Sequence, residues 1–441
     1  MTRGAWPTVG LFLTIVALLT ACASGIERNP AQAPAPGIAS PKVHKTSSGE
    51  KDLNHPRGKV TVWSYYNGAK WIVPIIEAVY PDLDVEVTAK SWDNFENNYL
   101  EAVDKGNAPD VLFADNKMLR NLVGMNLFEN LSAAPYGGES IAKRFNDATI
   151  APYRFLSDNA LFGLPLDIGP AVAYYRSDLF RKAGLPAEPE ALGSYLEDPD
   201  HWKAAALKLK LQGSSIAFSD WDPIWMTEYS SGYFDRRLAF TRVTSAFVTA
   251  IDLARFLRKN GLASGLMLDT DEGRASLNDG KTAMFYNGWW YRNELKSAAP
   301  DTSGQWRMMR LPLGLYGWAG SSCVVISSSS SNKAGAWAVV RTLADHLANA
   351  LEESSVDAGD PFFGGQKLRP LYMELVRRMP PYTPTPLDEN AKQIWEQLIG
   401  NALESDAYPI EVLTNIKQLT LDSLQSDLDI LKAVQHDPSP P

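Results

Sequence analysis

The sequence predicts an α/β protein of two lobes, and three observations carry that expectation. The chain of 441 residues exceeds the usual size of a single hydrophobic core. Its first part alternates β-rich runs with helical patterns, the mark of a β-α-β-α-β unit. Residues 163–180, GLPLDIGPAVAYYRSDLF, then run from a tight Gly-Leu-Pro turn through Asp167 and Gly169-Pro170 into an apolar, tyrosine-rich strand, which reads as a crossover into a second lobe.

Ahead of the folded body, residues 7–21 are almost wholly apolar, Arg3 is the one charge before them, and the run ends in Leu19-Thr20-Ala21-Cys22. Such a run is short for a membrane span but suits an export signal. Leu three positions before a cysteine, with small residues between, makes a lipobox: residues 1–21 are expected to be removed and the Cys22 thiol to carry a diacylglycerol. Residues 22–57 are rich in Pro, Ala, Ser and charge and have nothing periodic to bury, so they read as a tether between an extracytoplasmic membrane surface and the body. The other cysteine, Cys323, lies in an apolar run and is expected to pack, which leaves no disulfide framework.

In the first lobe, KVTVW at 59–63, DVEVT at 84–88 and DVLFA at 110–114 are the expected strands of an open, largely parallel sheet. Ile72, Ile75, Ile76 and Val79 mark the first intervening helix, stopped by Pro81; Asp93 and Glu96 make a capping box for the second, ahead of Phe95, Tyr99 and Val103. Ligands of open α/β sheets sit outside the carboxyl ends of the strands. The residues there are Trp63, Ser64, Tyr65, Tyr66 and Asn67, then Trp92 with Asp93, then Asp115 with Asn116. Flat rings stack on the C–H faces of a sugar, and carboxylates and amides pair with its hydroxyls, so the set suits a carbohydrate. Each aromatic taken singly also fits a surface or core contact.

In the second half, residues 202–211, 243–260 and 271–277 read as helices, with 195–202 and 219–222 as loops. Trp221, Trp225 and Tyr229 lie close in sequence; a helix opened by Pro223 puts Trp225 and Tyr229 on one face, as ligand contacts or as an aromatic core stripe. Two adjacent tryptophans, Trp289 and Trp290, follow Asn287-Gly288 and are not both expected in the core. The serines at 327–331 read as a loop and N-cap for a helix holding Trp337, Val340, Leu343 and Leu347, and residues 390–403 and 410–430 as closing helices.

The segment at 163–180 resembles the exit from the first lobe in bacterial extracellular solute-binding proteins of the sugar-binding class that serves ABC importers: Gly163-Leu164-Pro165, Asp167, Tyr174-Tyr175 and 177–180 match. So does LNDGKTAMFYNGWWY at 277–291, through Gly280, Lys281, Ala283, Met284, Gly288 and Trp289. LYGWAGSSCVVI at 315–326 is similar to that family's return crossover, but Trp318-Ala319 precedes Gly320 where the family has a Gly-Gly-like turn. The resemblance implies the periplasmic-binding-protein fold, with 58–167 plus 318–365 as one lobe and 168–317 plus 366–435 as the other, hinged at 164–169 and 318–321 over an interlobe cleft. It implies a carbohydrate ligand stacked on Trp289 in preference to Trp290, with acids as hydroxyl acceptors; the departure at 318–319 adds Trp318 as a cleft candidate and weakens the match at Gly320. It further implies ABC permease subunits as partners, transport energy from a separate ATPase, no cofactor, and a monomer.

Other chemistry finds little support. A net charge of −9, from 51 acidic and 42 basic residues, argues against a nucleic-acid surface. The five histidines are scattered without metal-ligand spacing, and neither GGQK at 364–367 nor DTDEG at 269–273 continues as a phosphate or calcium loop. The rival reading is a lipid-anchored glycoside hydrolase with Asp115 and Asp167 as its carboxylate pair. The same residues also fit a binding protein for a non-sugar polar solute, and the anchor alone fits an adhesive lipoprotein.

Overall fold

The structure, a computed structural model, describes residues 53, 55–353 and 358–436; Cys22 and the expected export signal lie outside the described residues. Five strands build the first sheet: β1 at Gly58–Ser64, β2 at Leu83–Ala89, β3 at Val111–Asp115, β4 at Gly163–Pro165 and β9 at Ser322–Ile326, in the order β2-β1-β3-β9-β4. β1 pairs in parallel with β2 and β3, whereas β9 is antiparallel to both β3 and β4, so the sheet is mixed rather than largely parallel. The register supplies the reason. β3 ends at Asp115, and Ser322 pairs with it; a chain re-entering the sheet at that edge can only run back along β3 in the opposite sense.

Alternation along these strands feeds two cores. Val60, Val62, Val324 and Ile326 pack beneath the helix Lys333–Glu352, with Trp337, Val340 and Leu343. Leu112, Ala114, Cys323 and Val325 point the other way, toward Phe95 and Tyr99 of the helix Phe95–Asp104. Cys323 is a packing thiol, its pKa pushed up by burial. Each fully buried Val or Ile contributes roughly 1.5–3 kcal/mol, which is what holds the returning strand in a sheet far from it in sequence.

The second sheet is built on β5 at Gly169–Arg176, with β6 at Met284–Gly288 and β7 at Trp306–Met309 on either side in the order β6-β5-β7; β8, Trp318–Gly320, also pairs with β5, and all these pairings are antiparallel. β5 is buried from end to end. Its two tyrosines therefore face opposite cores: Tyr174 stacks on Phe285 and donates to the Gly288 carbonyl at 2.8 Å, while Tyr175 meets Phe180 and donates to the Ala187 carbonyl at 2.8 Å. The chain passes from the first sheet to the second across 166–168 and returns at Ser321, whose hydroxyl accepts from the Gly169 N–H. Beyond the helix Lys333–Glu352 it crosses again. Phe362 and Phe363 pack with Trp306, and in the helix Leu368–Arg378, Leu375 joins that cluster while Val376 joins the first.

Several local expectations are corrected. The helix Phe95–Asp104 is preceded by Asn94 without a side-chain cap; Glu96 accepts instead from Asn121 at 3.1 Å. Val79 is exposed. Of residues 195–202 only 196–198 are loop: Pro189 and Pro199 open the helices Pro189–Tyr195 and Pro199–Leu211, where their missing N–H groups cost nothing, and Trp202 is fully buried. The cap of Lys333–Glu352 is Asn332 rather than a serine, because Ser330 donates to buried Asp110. The closing helix divides at Leu424 into Pro409–Ser423 and Gln425–His436.

Candidate functional site

The two crossovers bring the expected acids together. Asp115, at the end of β3, accepts the Lys117 N–H at 2.8 Å and so caps the short helix Asn116–Leu119. Asp167, between β4 and β5, accepts both the Ser322 N–H at 2.7 Å and the Ser322 hydroxyl at 2.8 Å. With its proton given to Asp167, the Ser322 hydroxyl accepts from the Tyr65 phenol at 2.7 Å, and a directed chain runs Tyr65 to Ser322 to Asp167. Burial pushes both carboxyls above their ordinary range, opposed at Asp115 by Lys117 and at Asp167 by the Ser322 donors. Both acids thus fasten the crossovers.

Glycines let a ring lie flat on the same place. A Cβ added at Gly288 would meet the Trp290 ring at 2.1 Å, one at Gly169 at 2.6 Å, and one at Gly320 at 3.3 Å from both Trp290 and an Asp115 oxygen. Trp290 is therefore seated across both crossovers with 43% of its surface open. Its neighbour Trp289, the ring favoured by residue order, is half-buried against Tyr372 at 4.9 Å with Arg292 over it.

Beside the β8 crossover opens a cavity of about 370 Å³. Asn116, Lys117 and Arg120 line it from the end of the first sheet, and Trp225 and Tyr229 from the helix Asp222–Glu228 and its C-cap; Trp318 is a further wall. Four residues singled out in the sequence, Asn116, Trp225, Tyr229 and Trp318, are thus in the wall. Trp225 is 45% exposed and is backed by Trp221 at 6.1 Å in a stacked arrangement. Trp318 is buried, its indole N–H donating to the Pro380 carbonyl at 2.9 Å. The others stand elsewhere: Tyr65 meets Trp92 edge-on at 5.1 Å, Trp63 lies under Lys90, and Tyr66 is exposed.

Asn116 is a further residue of the wall. Its N–H is held by the Ser321 carbonyl at 3.1 Å, its side chain is buried, and its Oδ1 finds no hydrogen-bond partner among the described residues. An orphaned buried acceptor costs about 1–3 kcal/mol. Arg242, Tyr382 and Asp388, also in the wall, carry no sequence signal; long-range packing brings them there. Among the described residues no group of three or more His, Cys, Asp or Glu is placed to hold a metal ion.

A model of the family of bacterial extracellular solute-binding proteins matches residues 64–349, which include both crossovers, the glycine-seated Trp290 and most of the cavity wall. The chain belongs to that family. Among the curated relatives of this solute-binding protein, a Brucella abortus binding protein is 24% identical over 280 residues, 60% of this chain and 65% of the relative. The arabinooligosaccharide-binding protein of Halalkalibacterium halodurans is 23% identical over 246 residues, 53% of each chain. The match therefore spans less than two thirds of the length of either relative. Among solved structures, the galacto-N-biose-/lacto-N-biose I-binding protein from Bifidobacterium longum superposes with a TM-score of 0.67 at 18% identity, covering 84% of this chain and 98% of that one. The sugar-binding protein MalE of Xanthomonas citri gives 0.67 at 16% identity, covering 85% and 99%. At these identities the likeness is one of fold: this solute-binding protein has the two-lobe α/β architecture of its family. No helix among its described residues is long and apolar enough to cross a membrane.

Proposed function

We propose that this protein is the substrate-binding lipoprotein of an ABC importer, which captures a carbohydrate between two lobes and delivers it to permease subunits in the membrane. The observation that carries the reading is the open indole face of Trp225 in the wall of a cavity that also presents the polar side chains of Lys117, Arg120 and Glu228. A sugar offers both counterparts, C–H faces for the ring and hydroxyls for the polar groups. Relatives whose names state arabinooligosaccharide or lacto-N-biose binding support the same class. The lobes are assigned to the two sheets, with hinges at 166–168 and at Ser321. Contacts made to ligand from both sides favour the closed arrangement, and binding shifts the equilibrium by that differential affinity. Lipid on Cys22 holds the monomer at the outer face of the cell membrane, and no cofactor takes part. Trp290, Trp92 and Tyr66 are proposed as outer contacts for a longer saccharide.

The hydrolase reading gains nothing from the acids, since Ser322 occupies both oxygens of Asp167 and Asp115 is committed to a helix cap. The test is thermal unfolding of the body from residue 58 onward against mono- and oligosaccharides, with product analysis of each hit. A sugar that raises the melting temperature and is recovered intact supports the receptor; cleavage of that sugar would make the protein an enzyme, and silence across the panel would remove carbohydrate as the ligand class.

A further inference from the structure

Charges around the cavity are matched unequally. On the acidic side, Glu228 accepts from Arg242 at 3.1 Å and from the Trp395 indole, and Asp388 accepts from the Thr385 N–H, the Thr385 hydroxyl and the Tyr382 phenol. Glu396 faces Lys392 one turn back at 3.9 Å. On the basic side, Arg242 is fully engaged: it donates to Glu228 and to the Ser231 and Gly232 carbonyls, and lies over the Tyr233 ring at 3.5 Å.

Lys117 and Arg120 differ from it. Lys117 is exposed, pairs with no carboxylate within 4.0 Å among the described residues, and has only a long 3.4 Å contact to the Ala319 carbonyl. Arg120 gives its Nε–H to the Lys117 carbonyl at 3.1 Å. Its two Nη atoms approach Asp388 at 4.0 Å and Glu389 at 3.7 Å, both beyond hydrogen-bond reach, so their N–H groups keep donor capacity. These two cations sit three residues apart, follow Asn116 directly, and line the same wall. The wall as a whole holds four basic residues, Lys117, Arg120, Arg242 and Lys392, against three acidic ones, Glu228, Asp388 and Glu396, in a chain of net charge −9.

We infer that the cavity takes an acidic saccharide, one bearing a carboxylate such as a uronic acid, with the carboxylate held by Arg120 and Lys117. Arg120 offers the planar pair of N–H groups that matches a carboxylate, and Lys117 adds a mobile point charge. Partial exclusion of water by Trp225 and Trp318 strengthens both. The inference rests on the carbohydrate reading and narrows it.

The experiment is titration calorimetry of the body with matched pairs differing only at C6: galactose and galacturonate, glucose and glucuronate, and their disaccharides. One acidic member is expected to bind about tenfold or more tightly than its neutral partner, the usual worth of a charge-assisted hydrogen bond, with the gap closing as salt is raised. Lys117→Gln and Arg120→Gln are each expected to erase most of that gap, read as the ratio of acidic to neutral affinity in the same variant. Lys117 is exposed, so its variant decides the matter should the Arg120 variant fold poorly. A neutral member bound as tightly as its acid, or an acid preference untouched by either variant, overturns the assignment while leaving the carbohydrate receptor standing. Refusal of every saccharide, neutral or acidic, overturns both.

Discussion

Replacing Trp225 with alanine tests the proposed cleft most directly, because the structure separates what the ring does for the fold from what it offers a ligand. A tryptophan side chain presents about 200 Å² in all. With 45% of Trp225 exposed, roughly 90 Å² remains open and about 110 Å² is covered by Trp221 and the helix beneath. At about 25 cal/mol per Å², covering the open face with a sugar contributes roughly 2 kcal/mol, and deleting the buried part costs stability by an upper bound of about 3 kcal/mol. Trp225→Ala is thus expected to raise the Kd about 30-fold and, independently, to lower the unfolding midpoint of the ligand-free protein. Calorimetry with the saccharide found in the thermal panel measures the first and denaturant unfolding the second. Trp221→Ala is the control: it removes packing behind the ring and is expected to weaken binding far less. If Trp225→Ala loses stability as expected but binds within twofold of the parent, the ring is packing only and the cavity is not where the sugar stacks.

Three further outcomes are expected. Asp167→Ala strands the Ser322 N–H at the crossover and is expected to cost about 1–3 kcal/mol in denaturant unfolding; a loss below about 0.5 kcal/mol would show that Ser322 finds another partner. Asp222, buried and accepting the Phe218 N–H, has its carboxyl pushed up by burial to about 7. The unfolded chain ionises near its ordinary value of about 3.9, so unfolding releases this proton. Stability from Asp222 is therefore fully present below about pH 4 and falls as pH rises to about 7, by at most ~4 kcal/mol. Asp222→Asn is expected to flatten stability across that window relative to the parent, and superimposable pH curves would refute the buried protonated acid. Cys22→Ser is expected to move the processed protein from the membrane to the soluble fraction without altering sugar affinity, and continued retention would remove the lipid from the account.

Much of the framework can be read along the chain because it is local. β1, β2 and β3 show in runs of β-branched residues, and both passages between sheets show in short turn motifs around Pro165 and Gly320. The direction of β9 does not, since a run such as SCVVI has the same pattern read either way and its pairing with β3 is decided by where the crossover lands. Proline at 189 and 199 is a helix-start signal that loop-like neighbours conceal.

The site is harder for a different physical reason. An aromatic side chain that stacks on sugar and one that packs a lobe need the same half-buried, flat-faced setting, so composition cannot sort Trp225 from Trp289 or Trp290. What sorts them is the company each ring keeps. Trp289 is taken by Tyr372 and Arg292, whereas the open face of Trp290 exists because Gly169, Gly288 and Gly320 all lack a Cβ beneath it. Those glycines come from three separate strands, two of them at crossovers, and none announces the ring it serves. The same holds for Asn116: its position after β3 is visible in the sequence, but the missing partner of its Oδ1 is a property of the folded cavity, since a buried acceptor is orphaned only once every neighbour has been placed. A binding site of the proposed kind is made of donors, acceptors and ring faces left over after the fold has satisfied itself, and leftovers are a sum over the whole chain that no local window contains.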